Sequence, residues 1–425
     1  MFKRSPQARK AHSSTVGGLS FRRSLKLLAC FSRDRDNLLS PPARSYFGIM
    51  LKLILMEQRK KVIYFSPNGY LGGVERFIIN ACCAHKNHQA SIIFLTAGAA
   101  SELAQKLGIK HFIYGHLFKL SRPDTWPRFW WWLRQNFKQI NPDIVHLSMP
   151  YSVLACFVPL VFFKIKRVWF QHGPIGGGLD SVAKWLPVHS VLFNSKYTQT
   201  IHHRLPGPSP LQMEQIIPLG VKVTERPVKD FNYRPAIIMA GRICQWKGIH
   251  LFVQAVKSLP SKLLEMADFN IYGAANSQKD QEYLTQLKQM ATGTPIQFKG
   301  HSNNLEESIY QADLLIHASI TPEPFGLIIA EAMAQGTLVI GAGIGGAADI
   351  INDGVTAIHF DSTSETAAND LSQKISTFLK DLENHQSEKY FKIKTNAKTF
   401  IGEHYSIEKM GQSLEHHYDL LLKDS

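Results

Sequence analysis

No stretch of this 425-residue sequence reaches the roughly 18 consecutive apolar positions that a membrane-crossing helix needs. The nearest approach, Val153 to Phe163, stops at Lys164, Lys166 and Arg167 and reads as a buried helix or a pair of strands. Cysteine is scarce. Cys30, Cys82, Cys83, Cys156 and Cys244 form neither an even disulfide framework nor a metal-ligand spacing. Their pattern excludes a disulfide-stapled secreted scaffold and fits free thiols in a reducing, cytoplasmic compartment. Acidic residues are also few, 33 against 48 Lys and Arg, for a net charge of +15. That excess is local. Residues 1–61 hold 14 Lys and Arg against Asp34, Asp36 and Glu57, which leaves only +4 for the other 364 residues. A folded body so nearly neutral carries no nucleic-acid footprint, and no nucleic-acid partner is expected.

The basic arm, residues 1–60, has no export-signal pattern, because its apolar runs, such as Leu27 to Phe31, are too short. Two readings stand. The arm is a flexible tail suited to anionic lipid, or the true start is Met50 or Met56, after which a strand begins at once. A second candidate for membrane contact is Phe129-Trp130-Trp131-Trp132 between Arg128 and Arg134; the competing reading is a core-facing stripe on a helix.

What the sequence does contain is alternation. Short β-branched runs (Lys61–Phe65, Ser91–Leu95, Asp143–Leu147, Val168–Gln171, Val191–Asn194) alternate with helical patterns, the signature of a parallel sheet covered on both faces. A proline-bearing stretch from Pro206 to Pro235 separates this from a second alternating series, which starts at Ala236–Ala240. The expected fold is α/β, with two doubly wound Rossmann-like domains facing a central cleft. Its divisions are residues 61–215, 216–404 and a final helix over 405–425.

In such folds ligands sit at the carboxyl ends of strands. Gly241-Arg242, followed by Lys247-Gly248, stands directly after one strand and opens a helix. Two cations at a helix terminus suit a diphosphate leaving group, or form an exposed turn with solvated charges. Glu323-Pro324-Phe325-Gly326 turns into a helix after another strand and leaves the amides of Phe325, Gly326 and Leu327 free for an anion. Glu331, eight residues beyond Glu323, is hemmed by alanines and Met333, so it is expected to be mostly buried and in need of a partner. Carboxylates at these two depths suit paired sugar and ribose hydroxyls. Gly72-Gly73 offers a weaker loop site in the first domain, and His172 stands at a strand end before a glycine-rich loop. The pairs His202-His203 and His416-His417 read as surface residues. Gly341, Gly343 and Gly346 fit a dinucleotide spacing with Asp361 downstream, but they fall late in a domain rather than at its opening.

Together these motifs resemble retaining glycosyltransferase family four, of GT-B fold, from about residue 61 to 420. The specific part is Gly241-Arg242…Lys247-Gly248, His317-Ala318-Ser319, Glu323-Pro324-Phe325-Gly326…Glu331-Ala332-Met333-Ala334 and Gly345-Gly346. The resemblance implies a transferase using a nucleotide-diphosphate sugar, with retention of configuration and no cofactor or essential metal. Arg242 and Lys247 would hold the diphosphate and Glu331 the ribose. Glu323, with the amides of Phe325 and Gly326, would contact the donor sugar, and His172 its far hydroxyl; Gly72 and Gly73 would edge the acceptor and the donor phosphate region. The acceptor class implied is a carbohydrate or a lipid-linked intermediate at the membrane face. Three positions depart from the family pattern: Trp246 replaces an acid before Lys-Gly, Asp349 is a shorter acid near Gly345-Gly346, and Leu219-Gly220-Val221-Lys222 replaces an Asn-Gly-Val-Asp turn. A catalytically silent scaffold and a sugar epimerase remain as alternatives on the same fold.

Overall fold

The computed structural model describes residues 59–423, apart from 174, 209–212 and 303. The expectations for the basic arm and for a start at Met50 or Met56 lie outside the described residues. Among the described residues thirteen parallel strands form two sheets. The first contains β1 (Lys61–Ser66), β2 (Gln89–Phe94), β3 (His111–Ile113), β4 (Ile144–Ser148), β5 (Lys166–Gln171), β6 (Ser190–Phe193) and β7 (Met213–Ile216), in the order β3-β2-β1-β4-β5-β6-β7. The second contains β8 (Ala236–Ala240), β9 (Asp268–Tyr272), β10 (Gln297–Gly300), β11 (Leu314–His317), β12 (Leu338–Ala342) and β13 (Ile358–Phe360), in the order β10-β9-β8-β11-β12-β13. Strands such as Val62–Phe65 and Leu314–His317 are buried throughout because helices cover both sheet faces.

In each sheet the strand order reverses beside the first strand, between β1 and β4 and between β8 and β11. Such switch points leave a crevice at the carboxyl ends, where adjacent connections depart to opposite faces. The loops that follow these four strands are therefore the ones placed to bind a ligand. They carry Gly72-Gly73, Met149, Gly241-Arg242 and His317-Ala318-Ser319.

The final helix, Ile407–Lys423, packs against the helix Gly73–Ala84 and under the first sheet. Its fully buried Tyr418 lies 2.6 Å from His146 Nδ1 and 3.2 Å from the Tyr64 hydroxyl. Glu415 accepts from the backbone N–H groups of Lys86, Asn87 and His88 at 2.6–3.1 Å, closing the turn that leaves Gly73–Ala84.

Several sequence readings are corrected. The Pro206–Pro235 stretch is not all connection: Met213–Ile216 pairs in parallel with β6 and forms the sheet edge. Ala347–Ile351, whose sequence pattern predicts a helix, holds only a single 3₁₀ turn, Gly346–Asp349. Val153–Phe163 belongs to the helix Met149–Val161, with Val161 and Phe162 exposed. In the tryptophan cluster Phe129 is buried and Trp131 faces outward. His202 and His417 are buried, not superficial, since a helix turns one of two adjacent residues inward. His417 is bonded to Ser190 Oγ at 2.7 Å and to Gln215 Oε1 at 2.8 Å.

Candidate active site

A cavity of about 800 Å³ lies between the carboxyl ends of the two sheets. The first half gives it Gly72, Gly73, Arg76 and Phe77; the second gives Gly241, Arg242, Lys247, Glu323, Leu327 and Glu331. Its size suits a nucleotide-sized ligand.

Glu323 is its best-defined group. Lys247 Nζ donates to Glu323 Oε1 at 2.6 Å, His317 Nε2 at 2.9 Å, and the Ser319 hydroxyl donates to the same oxygen. Oε2 makes no hydrogen bond to a described residue. Burial alone would raise this carboxyl, but the bond from His317 and the charge of Lys247 outweigh it and hold the acid well below the usual carboxylate range. Glu323 is thus an anion at neutral pH, locked through one oxygen.

Glycines set this arrangement. Gly248 has φ +66°, and a Cβ there would sit 1.9 Å from the Ala318 carbonyl oxygen. Only the bare backbone lets the loop after β8 press on the loop after β11, which brings Lys247 to Glu323. Gly345, with φ +67°, packs on Glu323 in the same way, and Gly346 N–H donates to the Glu323 carbonyl at 2.7 Å. The glycines of the dinucleotide-like spacing are therefore partly spent on holding the Glu323 loop. Asp361 is spent on its own turn, accepting from Thr363.

The helix Leu327–Gln335 begins beyond Gly326, and the amides of Phe325, Gly326 and Leu327 donate to no described residue. They make an anion-binding terminus. The Phe325 ring itself is buried against Tyr405. One turn into that helix Glu331 faces the cavity, mostly buried as its neighbours imply, and bonds to no described residue. Burial pushes its carboxyl up to about 7; nearby Arg76 opposes the rise and Glu306 adds to it. Arg242 is exposed at the cavity wall, with its guanidinium 5.7 Å from the Trp246 ring; Lys247 Nζ is 4.5 Å from the same ring. Trp246 thus presents an aromatic face to both cations.

Gly72 N–H is already taken, by Glu75 Oε2 at 3.1 Å and the Tyr70 carbonyl. Gly73 instead leaves open space where a Cβ would stand. His172 is not on the cavity wall but one layer behind it, its ring 4.6 Å from that of Phe77, which is, and stacked 4.1 Å from Phe170. Its buried Nε2 has no partner among the described residues, and burial lowers its pKa to about 3, so the ring is neutral.

Two contacts tie the halves together at this end. Ser195 Oγ donates to the Pro324 carbonyl at 2.6 Å, and Lys196 N–H donates to Asp349 Oδ2 at 3.0 Å. Asp349, the shorter acid near Gly345-Gly346, caps a helix of the opposite domain.

Sequence reasoning missed Arg76 and the parts played by His317 and Ser319. Arg76 lies about one helical turn past Gly73, and His317 and Ser319 are two residues apart at a strand end, on one side; both spacings were readable. No spacing could show that His85, His88 and Glu415 meet, with candidate ligand atoms within 4.8 Å of one another. Glu415 Oε1 already receives three backbone N–H groups, which favours a lock between chain segments over a metal centre.

Two family models match the chain: one described as glycosyl transferases group 1, over residues 223–400, and one as glycosyltransferase family 4, over residues 71–224. The lipopolysaccharide 1,2-N-acetylglucosaminetransferase of Salmonella typhimurium is 31% identical over 190 residues, 42% of this chain and 46% of that protein. The glycogen synthase of Erwinia tasmaniensis is 26% identical over 184 residues, 43% of this chain and 36% of that protein. The chain thus aligns with about half, or less, of the length of these curated relatives. Among solved structures, Anabaena HepE, described in complex with UDP and glucose, superposes with a TM-score of 0.71 at 19% identity, covering 85% of this chain and all of that one.

Proposed function

From its membership of glycosyltransferase family 4, with the two-domain GT-B fold, we propose that this protein moves a sugar from a nucleotide-diphosphate donor to a carbohydrate or lipid-linked acceptor. Configuration at the anomeric carbon is retained. The observation that carries this reading is the convergence on one cleft of two cations, a free helix terminus and two carboxylates of opposite character.

Arg242, Lys247 and the amides of Phe325, Gly326 and Leu327 take the charge that grows on the leaving diphosphate, so the reaction needs no essential metal. Glu323 Oε2 accepts a hydroxyl of the donor sugar while Oε1 stays locked. Glu331 takes the ribose hydroxyls, and Arg76 across the cleft keeps it anionic once bound. His172, neutral and one layer back, reaches the sugar by displacement of Phe77. No general base is assigned: the departing phosphate itself accepts the acceptor proton, on the same face of the sugar that the acceptor attacks. Support for a nucleotide sugar comes from Anabaena HepE, described with UDP and glucose, and from the sugar-transferring Salmonella relative. The working site is cytoplasmic, at the inner membrane face.

Thermal unfolding of the full chain against a panel of nucleotide sugars and nucleoside diphosphates tests this. Ligands that bind the native state raise the midpoint by mass action. A shift with one nucleotide sugar, lost when Arg242 and Lys247 become Ala, is expected. A folded protein that no member of the panel stabilises would sink the donor site and leave the silent scaffold. A shift accompanied by epimerised sugar instead of transfer would favour the epimerase.

A further inference from the structure

The helices Trp126–Ile140, Met149–Val161 and Gly178–Lys184 lie side by side on one face of the first sheet. Each buries one stripe against that sheet: Phe129, Leu133 and Phe137 from the first, Val153, Cys156 and Leu160 from the second, Ala183 from the third. Their opposite faces therefore all point away from the sheet, in one direction. Large apolar side chains stand among the polar ones on those faces and just past the ends of the second and third helices. Trp131, Phe162 and Trp185 are 64%, 65% and 66% exposed, and Val161 and Val182 are more than half exposed.

Charge follows the same surface. Residues 111–190 hold nine Lys and Arg against three acids, Asp124, Asp143 and Asp180. Each of those acids is occupied: Asp124 by Arg122, Asp143 by the Lys61 backbone N–H, and Asp180, buried, by Gln171. Among the described residues no exposed acid lies on the three helices, whereas Arg128, Arg134, Lys138 and Lys164 are all exposed. The Arg134 guanidinium stands 5.4 Å from the Phe162 ring, so cation and aromatic ring share one spot. Aromatic and aliphatic side chains interleaved with unpaired cations match an anionic lipid surface, where rings enter the headgroup layer and cations meet phosphate. A protein partner buried there would have to pair those cations with acids of its own.

We propose that this three-helix face docks on an anionic lipid bilayer, with Trp131, Phe162 and Trp185 as the inserted anchors. The surface stands independently of the transferase reading; its use, to hold the cleft beside a lipid-linked acceptor, rests on that reading.

The test is flotation of the full chain with vesicles of phosphatidylcholine alone and of phosphatidylcholine with one-third phosphatidylglycerol. Binding is expected with the anionic vesicles, weakening as salt is added. The variant Trp131→Ser/Phe162→Ser/Trp185→Ser should lose at least about tenfold in vesicle partitioning. It should keep the wild-type melting temperature and the wild-type nucleotide-sugar shift, since none of the three lies in the core or the cleft. Undiminished binding of this variant would assign attachment to the basic arm and overturn the proposal. So would a self-associated wild-type chain that the variant turns monomeric, which would make the face a protein interface. Loss of the nucleotide shift in wild type would strike the transferase reading alone.

Discussion

Lys247 Nζ stands 2.6 Å from Glu323 Oε1, a shielded ion pair joining the loop after β8 to the loop after β11. A diphosphate bound at this wall competes with Glu323 for the same ammonium. Lys247→Ala should therefore weaken nucleoside-diphosphate binding by at least about tenfold. It should also cost stability, on the order of 1–3 kcal/mol, because Glu323 keeps its buried charge but loses a cation. Calorimetric titration and chemical denaturation read the two effects separately. Unchanged affinity would remove Lys247 from the site.

The two carboxylates should give the pH profile opposite slopes. Glu331 is raised from 4.5 to about 7 by burial, so the native state holds its proton longer than the unfolded chain. Its contribution to stability is full below pH 4.5, falls as pH rises toward 7 and is lost above. Glu323 is depressed, so its contribution is present above the ordinary carboxylate range and is lost on acidification. Glu331→Gln should stabilise the protein at pH 8 by about 1 kcal/mol, discounted for its partial exposure, while weakening nucleotide binding. Glu323→Gln should flatten the acid limb and lower kcat by roughly a hundredfold or more. Denaturation midpoints across pH 2–8 check both signs.

Much of this was legible beforehand, for a physical reason. Local patterns write local structure: the strand Ala236–Ala240 matches its expected bounds, because β-branched runs are a short-range property. The pairing of Lys247 with Glu323 was within reach, since both follow strands that become neighbours at a switch point. Burial was less legible. The alanine neighbours of Glu331 mark it as mostly buried, as it is, but His202 and His417 read as superficial from their polar sequence context when tertiary packing buries them. Met213–Ile216 was hidden by its polar, half-buried sequence, since an edge strand needs little hydrophobic pattern to pair. The Glu415 lock joins residues more than 300 positions apart, beyond any spacing argument.

Gly345→Ala tests the cradle beneath Glu323. An added Cβ falls 2.5 Å from the Glu323 carbonyl oxygen, at a positive φ. Backbone must move, so a loss of roughly 2–4 kcal/mol is expected, with activity falling further than stability explains. An alanine variant that melts like wild type would show that the loop yields easily.

Tyr418→Phe should destabilise the protein by about 1–3 kcal/mol, because it strands His146 Nδ1 in the core without its partner. The measurement is urea denaturation, and an unchanged midpoint would mean that His146 finds another acceptor or donor.

The first sheet is assembled from strands spelled before residue 217, but part of its cover is spelled only by Ile407–Lys423. During synthesis, then, the amino-terminal half waits, incompletely clothed, while the whole second domain is translated. Glu415, Tyr418 and His417 arrive last, and with them the partners of His85, His146 and Ser190. A stop that removes Ile407–Lys423 would therefore injure the half of the protein that was made first.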